Sequence, residues 1–140
     1  MGYWVIGLLG CWVIGLKEKV KIQRFEDLEC WQEARKLVNM VYRAADDNER
    51  FKKDYRFRDQ ITSAAVSAMS NIAEGFSRKS NKEFIQFLFI SKSSVSEVQS
   101  LLYAARDRNY VNDKTFDTVY QQGDKVARID SGLITYLSRM

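Results

Sequence analysis

A chain of 140 residues with two cysteines, Cys11 and Cys30, and no histidine has room for one domain, too few ligands for a Cys/His metal site, and no imidazole for a triad or dyad. Proline is absent and four of the seven glycines fall within the first fifteen residues, so the rest lacks the usual loop and hairpin residues and is expected to be helical. The net charge of +4 is unevenly placed: residues 17–49 carry 7 basic and 8 acidic side chains, residues 50–92 carry 9 and 4, and residues 93–140 carry 6 and 6.

Residues 1–16 are uncharged and repeat Trp-Val-Ile-Gly-Leu at 4–8 and 12–16. They are short of the roughly 20 apolar residues of a bilayer span, and Lys17, Lys19 and Lys21 follow the apolar run where a secretory signal would have them precede it. Residues 1–24 are therefore set apart as an apolar extension, disordered or not native, with a membrane or targeting role as the alternative. The domain is expected over 25–140. The two unspaced cysteines read as reduced thiols of a cytoplasmic protein.

From Phe25 the pattern turns helical. Leu28, Trp31, Ala34, Val38, Val41, Tyr42 and Ala45 recur at three and four, with Asp27 as expected N-cap and Asp46-Asp47-Asn48 as exit. Residues 49–54 form a polar, basic connection from which Phe51 is expected to tuck back onto the domain. A second helix over about 55–74 places Phe57, Ile61, Ala64, Ala65, Ala68 and Ile72 on one stripe. Its alanines let a partner approach closely, and the third helix supplies bulk through Phe84, Phe87, Leu88, Val95, Val98, Leu101, Leu102 and Ala105. That helix is expected to end near Asn109. After a tight turn capped by Asn112 or Asp113, a fourth carries Phe116, Val119, Tyr120, Val126, Ile129, Leu133, Ile134 and Leu137. Four long helices with short connections predict an all-α, up-down-up-down antiparallel bundle.

Residues 70–84, Ser70-Asn71-Ile72-Ala73-Glu74-Gly75-Phe76-Ser77-Arg78-Lys79-Ser80-Asn81-Lys82-Glu83-Phe84, organise the centre. Gly75 is expected as a left-handed residue just past the second helix, and Ser80 with Glu83 as a capping box opening the third. Arg78 and Lys79 in the turn, and Lys82 in the first helical turn where the dipole disfavours cations, call for an anion. Lys52, Lys53, Arg56 and Arg58 lie at the other end of this hairpin, with Lys92 between, and these eight are the candidate nucleic-acid contacts. Asn71, Glu74, Ser80, Glu83, Ser94 and Glu97 form a candidate structural polar network. Asn71 and Glu74 are placed facing a helix interface, and Glu97 is expected to pair with Arg58. No nucleophile, base or second carboxylate accompanies Glu74, so no catalytic residue, small-molecule substrate, cofactor or metal is assigned. Met69, Phe76, Ile85, Phe89 and Tyr103 fall off the main stripes and predict self-association in a closed ring or dimer.

The residues Phe25-Glu26-Asp27-Leu28-Glu29-Cys30-Trp31, Gln60-Ile61, Ala64-Ala65-Val66-Ser67, the Asn-Ile-Ala-Glu-Gly block at 71–75, Arg78-Lys79-Ser80, Glu83-Phe84, Phe87-Leu88, and Ser94 with Glu97 resemble the four-helix-bundle proteins encoded in 23S rRNA intervening sequences. The resemblance spans residues 25 to about 138. It implies an up-and-down bundle assembling into a basic homopentameric ring, and RNA or ribosome association, since the genes of that family lie within insertions of large-subunit rRNA. A distant relative with the same bundle, the accessory variability protein of diversity-generating retroelements, implies the alternative of a protein adaptor docking on a reverse transcriptase. Two departures stand out: the family normally begins near residues 22–25, and Lys92 stands where a glycine is common.

Overall fold

The computed structural model describes residues 4–6 and 20–140. Cys11, Lys17, Lys19 and most of the apolar repeat lie outside them. The chain runs β1 (Trp4–Ile6), β2 (Val20–Ile22), a 3-10 turn at Phe25–Asp27, α1 (Glu29–Asp46), α2 (Glu49–Lys53), α3 (Tyr55–Phe76), α4 (Asn81–Asp107) and α5 (Asp113–Ser138). The two strands pair antiparallel, Trp4 opposite Ile22 and Ile6 opposite Val20, and Ile22 is 1% exposed. The core therefore begins slightly ahead of the first helix.

Four long helices form the bundle. α1 packs on α3 and α5, and α4 packs on the same two. Short connections make successive long helices antiparallel, and α3, α4 and α5 extend roughly 33 to 40 Å at 1.5 Å per residue. Most of the stripe positions read from the sequence are the core: Ala34, Val41, Ala45, Ile61, Ala65, Ala68, Ile72, Leu88, Val95, Val98, Leu102, Val126 and Leu133 are all buried, Leu37 joins them, and Tyr42, expected on the α1 stripe, is instead 38% exposed.

The caps follow the chemistry of short polar side chains, with two corrections. Asn48, Asp54, Ser80 and Asn112 accept hydrogen bonds from the backbone N–H three residues on, opening α2, α3, α4 and α5. The first correction concerns Asp27, which does not cap α1. The helix starts at Glu29 after an extended Leu28, and the Asp27 carboxylate instead accepts from the Gln23 and Arg24 N–H groups, both at 3.1 Å, which hold its pKa below the usual range. The second concerns Gly75, which is not a left-handed terminator. It lies inside α3, whose cap is Ser77 with right-handed dihedrals, and the left-handed residue of the domain is Asn109, with φ of 59°. Close approach is what requires glycine at 75: a Cβ there would stand 2.6 Å from the Phe87 Cβ and 2.9 Å from Phe84 Cδ1.

The basic connection after α1 contains α2, a single short helix. Phe51 does tuck back, at 1% exposure. Its ring stacks on Tyr110 at 5.3 Å and tilts against Phe57 at 5.5 Å, closing the end of the bundle where α1, α3, α4 and α5 turn.

Candidate nucleic-acid interface

The α3–α4 turn carries Arg78 and Lys79, and Lys82 follows within the first turn of α4. All three are exposed. Ser80 Oγ accepts from the Glu83 N–H at 3.2 Å and lies 3.1 Å from the Glu83 carboxylate, so the turn is pinned. Arg78 pairs with Glu74 at 3.1 Å and lies over the Phe87 ring at 4.7 Å. Glu74 is thus on the surface, one turn before Arg78, and does not face the helix interface as expected. Lys79 and Lys82 form no ion pair among the described residues.

At the opposite end, Lys52, Lys53 and Arg56 are exposed on α2 and the start of α3. Lys53 is 4.0 Å from Glu49. Arg58 differs from its neighbours: half-buried, it pairs with Asp46 at 3.0 Å and lies over the Tyr42 ring at 5.7 Å. The expected Glu97–Arg58 pair does not form, because Arg58 points to α1 while Glu97 occupies the exposed face of α4. The structure therefore gathers the candidate cations into two groups about one helix length apart, with Lys92 half-buried midway.

Between these ends the α3–α4 seam is polar but uncharged. Asn71 Nδ2 donates to the Ser67 carbonyl at 2.8 Å and to its hydroxyl at 3.0 Å, and the Ser67 and Ser94 hydroxyls meet at 2.8 Å. Residues 60–73 hold no charged side chain, and residues 84–105 hold two, Lys92 and Glu97. Along this low-charge belt Phe89, Ile90 and Tyr103 remain exposed at 51%, 47% and 47%. Met69, Phe76 and Ile85 instead pack partly buried against the core.

Two polar centres escaped the sequence reading. Asp130 is 0% exposed, accepts from Ser91 Oγ at 2.7 Å, and leaves its Oδ1 without a hydrogen-bond partner among the described residues. Burial pushes its pKa up to about 7, against the hydrogen bonds of Ser91 and Cys30 and the charge of Lys92. The Cys30 thiol, also buried, is pushed well above its ordinary value by the same burial and by Asp130, which makes it inert as a nucleophile. Glu33, 5% exposed, joins α1 to α5 through Gln122 Nε2 at 2.8 Å and Lys125 at 3.2 Å, with Lys36 at 3.0 Å. Burial alone would raise its pKa, but these partners outweigh it and hold Glu33 below the usual range. A periodicity signal marks the first centre. Leu88, Ser91, Val95 and Val126, Asp130, Leu133 keep core spacing through the polar residue.

Among the described residues, no group of three or more Cys, His, Asp or Glu could hold a metal, and no helix is long and apolar enough to cross a membrane.

The fold and surface define a four-helix up-and-down bundle with a low-charge α3–α4 seam and exposed cations at both of its ends. The chain belongs to the 23S rRNA-intervening sequence protein family, whose profile matches residues 26–132. Among solved structures it is similar to a protein of unknown function from the S23 ribosomal protein family of Bacteroides thetaiotaomicron, 15% identical, with a TM-score of 0.69 over 75% of this chain and 97% of that one. At that identity the likeness speaks for the fold alone. No curated protein matches the chain.

Proposed function

We propose that this protein is a non-enzymatic, cytoplasmic, self-associating bundle that binds structured RNA, either rRNA or its intervening sequence, by phosphate contacts. Lys52, Lys53, Arg56, Arg78, Lys79 and Lys82 carry the contact, Lys92 adds to it, and Arg58 contributes least because Asp46 and Tyr42 already engage it. The observation that carries the reading is the α3–α4 turn: Lys79 and Lys82 stand exposed and without an ion pair among the described residues where the α4 dipole also favours an anion. The family's link to rRNA supports RNA over other polyanions. Self-association through the part of the low-charge belt around Ile90 and Ser93, with a pentameric ring favoured, would multiply both basic ends and leave Phe89 uncovered.

A gel-shift assay against rRNA fragments tests this. The wild type is expected to form a complex that weakens steeply with salt, and Arg78→Glu with Lys79→Glu should abolish it while leaving helicity unchanged. Absence of any salt-sensitive complex overturns the reading.

The low-charge belt also favours a second reading, a protein adaptor whose exposed apolar residues dock on a partner such as a reverse transcriptase. A stoichiometric polymerase in a native pull-down, with no RNA retained after nuclease-free washing, would favour that alternative.

A further inference from the structure

A groove of about 750 Å³ opens between α4 and α5, lined by Lys92, Gln121, Asp124, Ala127, Arg128 and Ser131. Its α5 side is a run of positions three and four apart, so it follows the helix axis for several turns. Gln99 closes one end by donating to the Tyr120 carbonyl at 3.2 Å and to the Asp124 carboxylate at 2.9 Å. That bond occupies the one carboxylate of the lining. Lys92 and Arg128 form no ion pair among the described residues, and the carboxyl nearest beneath Lys92, Asp130, is fully buried and engaged by Ser91. Two cations therefore outnumber the single Asp124 carboxylate in one concavity, and neither is ion-paired to it among the described residues. Beside them, the Phe89 ring lies 5.7 Å from the Lys92 ammonium and is half exposed, an aromatic face at the edge of a cationic groove.

Cations that track a backbone next to an aromatic side chain on which a base can stack are the two components of single-strand nucleic-acid binding. We infer that the α4–α5 groove seats a single-stranded segment of RNA, with phosphodiester oxygens on Lys92 and Arg128 and a base on Phe89. This rests on the RNA-binding reading above and shares Lys92 with it, but adds Phe89 and the α5 side of the groove, which lie away from the α3–α4 turn. Gln121 and Ser131 supply neutral hydrogen bonds along the floor. Arg128 was no candidate from sequence, because one arginine on an amphipathic helix is ordinary.

The test is fluorescence anisotropy of the full chain with a labelled oligouridylate of ten nucleotides, alongside the rRNA-fragment gel shift. Lys92→Gln with Arg128→Gln is expected to weaken decamer binding at least about tenfold and to lower the log–log salt slope by about 1.4, two phosphates at the single-strand coefficient. Phe89→Leu should weaken it about tenfold with the slope unchanged. Arg128→Gln alone, at an exposed position, guards against a folding defect in the double variant. If the double variant binds the decamer as the wild type does while Arg78→Glu with Lys79→Glu loses the rRNA fragment, the groove inference falls and the turn-based reading stands. If uridine monophosphate competes as well as the decamer, the groove is a free-nucleotide site and the inference also falls. If the wild type binds neither RNA, both fall together.

Discussion

Asp130 occupies a position where the α5 stripe calls for an apolar side chain, and its ionisation is consequently tied to folding. An exposed aspartate titrates at 3.8, whereas burial raises Asp130 to about 7, so the folded state holds the proton more tightly. The sign follows from linkage: the contribution of Asp130 to stability is greatest below about pH 4, falls as pH rises toward 7, and levels off above, with a total of at most about 4 kcal/mol. Cys30 from α1, and Ser91 and Lys92 from α4, are the groups facing it, and none replaces bulk water. Denaturant titrations of Asp130→Asn at pH 5 and pH 8 should show most of the wild-type decline gone. An unchanged slope would place the linkage elsewhere. Glu33 shows the opposite outcome: three donors to a buried carboxylate keep it ionised, so its contribution is lost only as pH falls through its lowered pKa.

At the scale of elements, the α3–α4 hairpin is set by the absence of a side chain. Gly75→Ala pushes a Cβ into the backbone-proximal atoms of Phe87, which cannot rotate away, and such overpacking costs about 1 to 3 kcal/mol. Urea unfolding should register that loss, together with reduced α3–α4 contact; a neutral effect would mean the hairpin spreads freely. The four long helices were legible in the sequence because their apolar stripes keep a 3.6-residue period and Ser80 and Asn112 punctuate them with caps. α2 was not, since five residues are too few to show a period, and β1–β2 was not, since the pairing joins three-residue strands separated by a long stretch of sequence. Gly75 was read as a terminator because sequence shows its permissive backbone but not the phenylalanine opposite. Likewise the cation runs were visible, while the Arg58–Asp46 pair and the groove beside Arg128 depend on which helices become neighbours.

For the whole molecule, the low-charge belt and the charged ends make one joint prediction. Were the belt open to water, a protein with 29% charged residues would have little reason to leave residues 60–73 without any. Covering it with further copies would stack the two cation groups into two electropositive rims about a helix length apart. Sedimentation should find an assembly larger than a monomer, and Ile90→Arg with Ser93→Arg should dissociate it without loss of helicity, because both residues are exposed. A wild-type monomer would remove the assembly from the proposed function and leave RNA binding to single copies.

The Phe51 peg separates two kinds of position within one short segment. The ring is fixed by Tyr110 and Phe57, while Lys52 and Lys53 beside it touch nothing that the bundle needs. Natural drift can therefore rewrite the electrical character of that end, residue by residue, without disturbing the scaffold that displays it. Relatives with the same architecture are free to have diverged in what they attract, and divergence of that sort would be concentrated on either side of a retained aromatic.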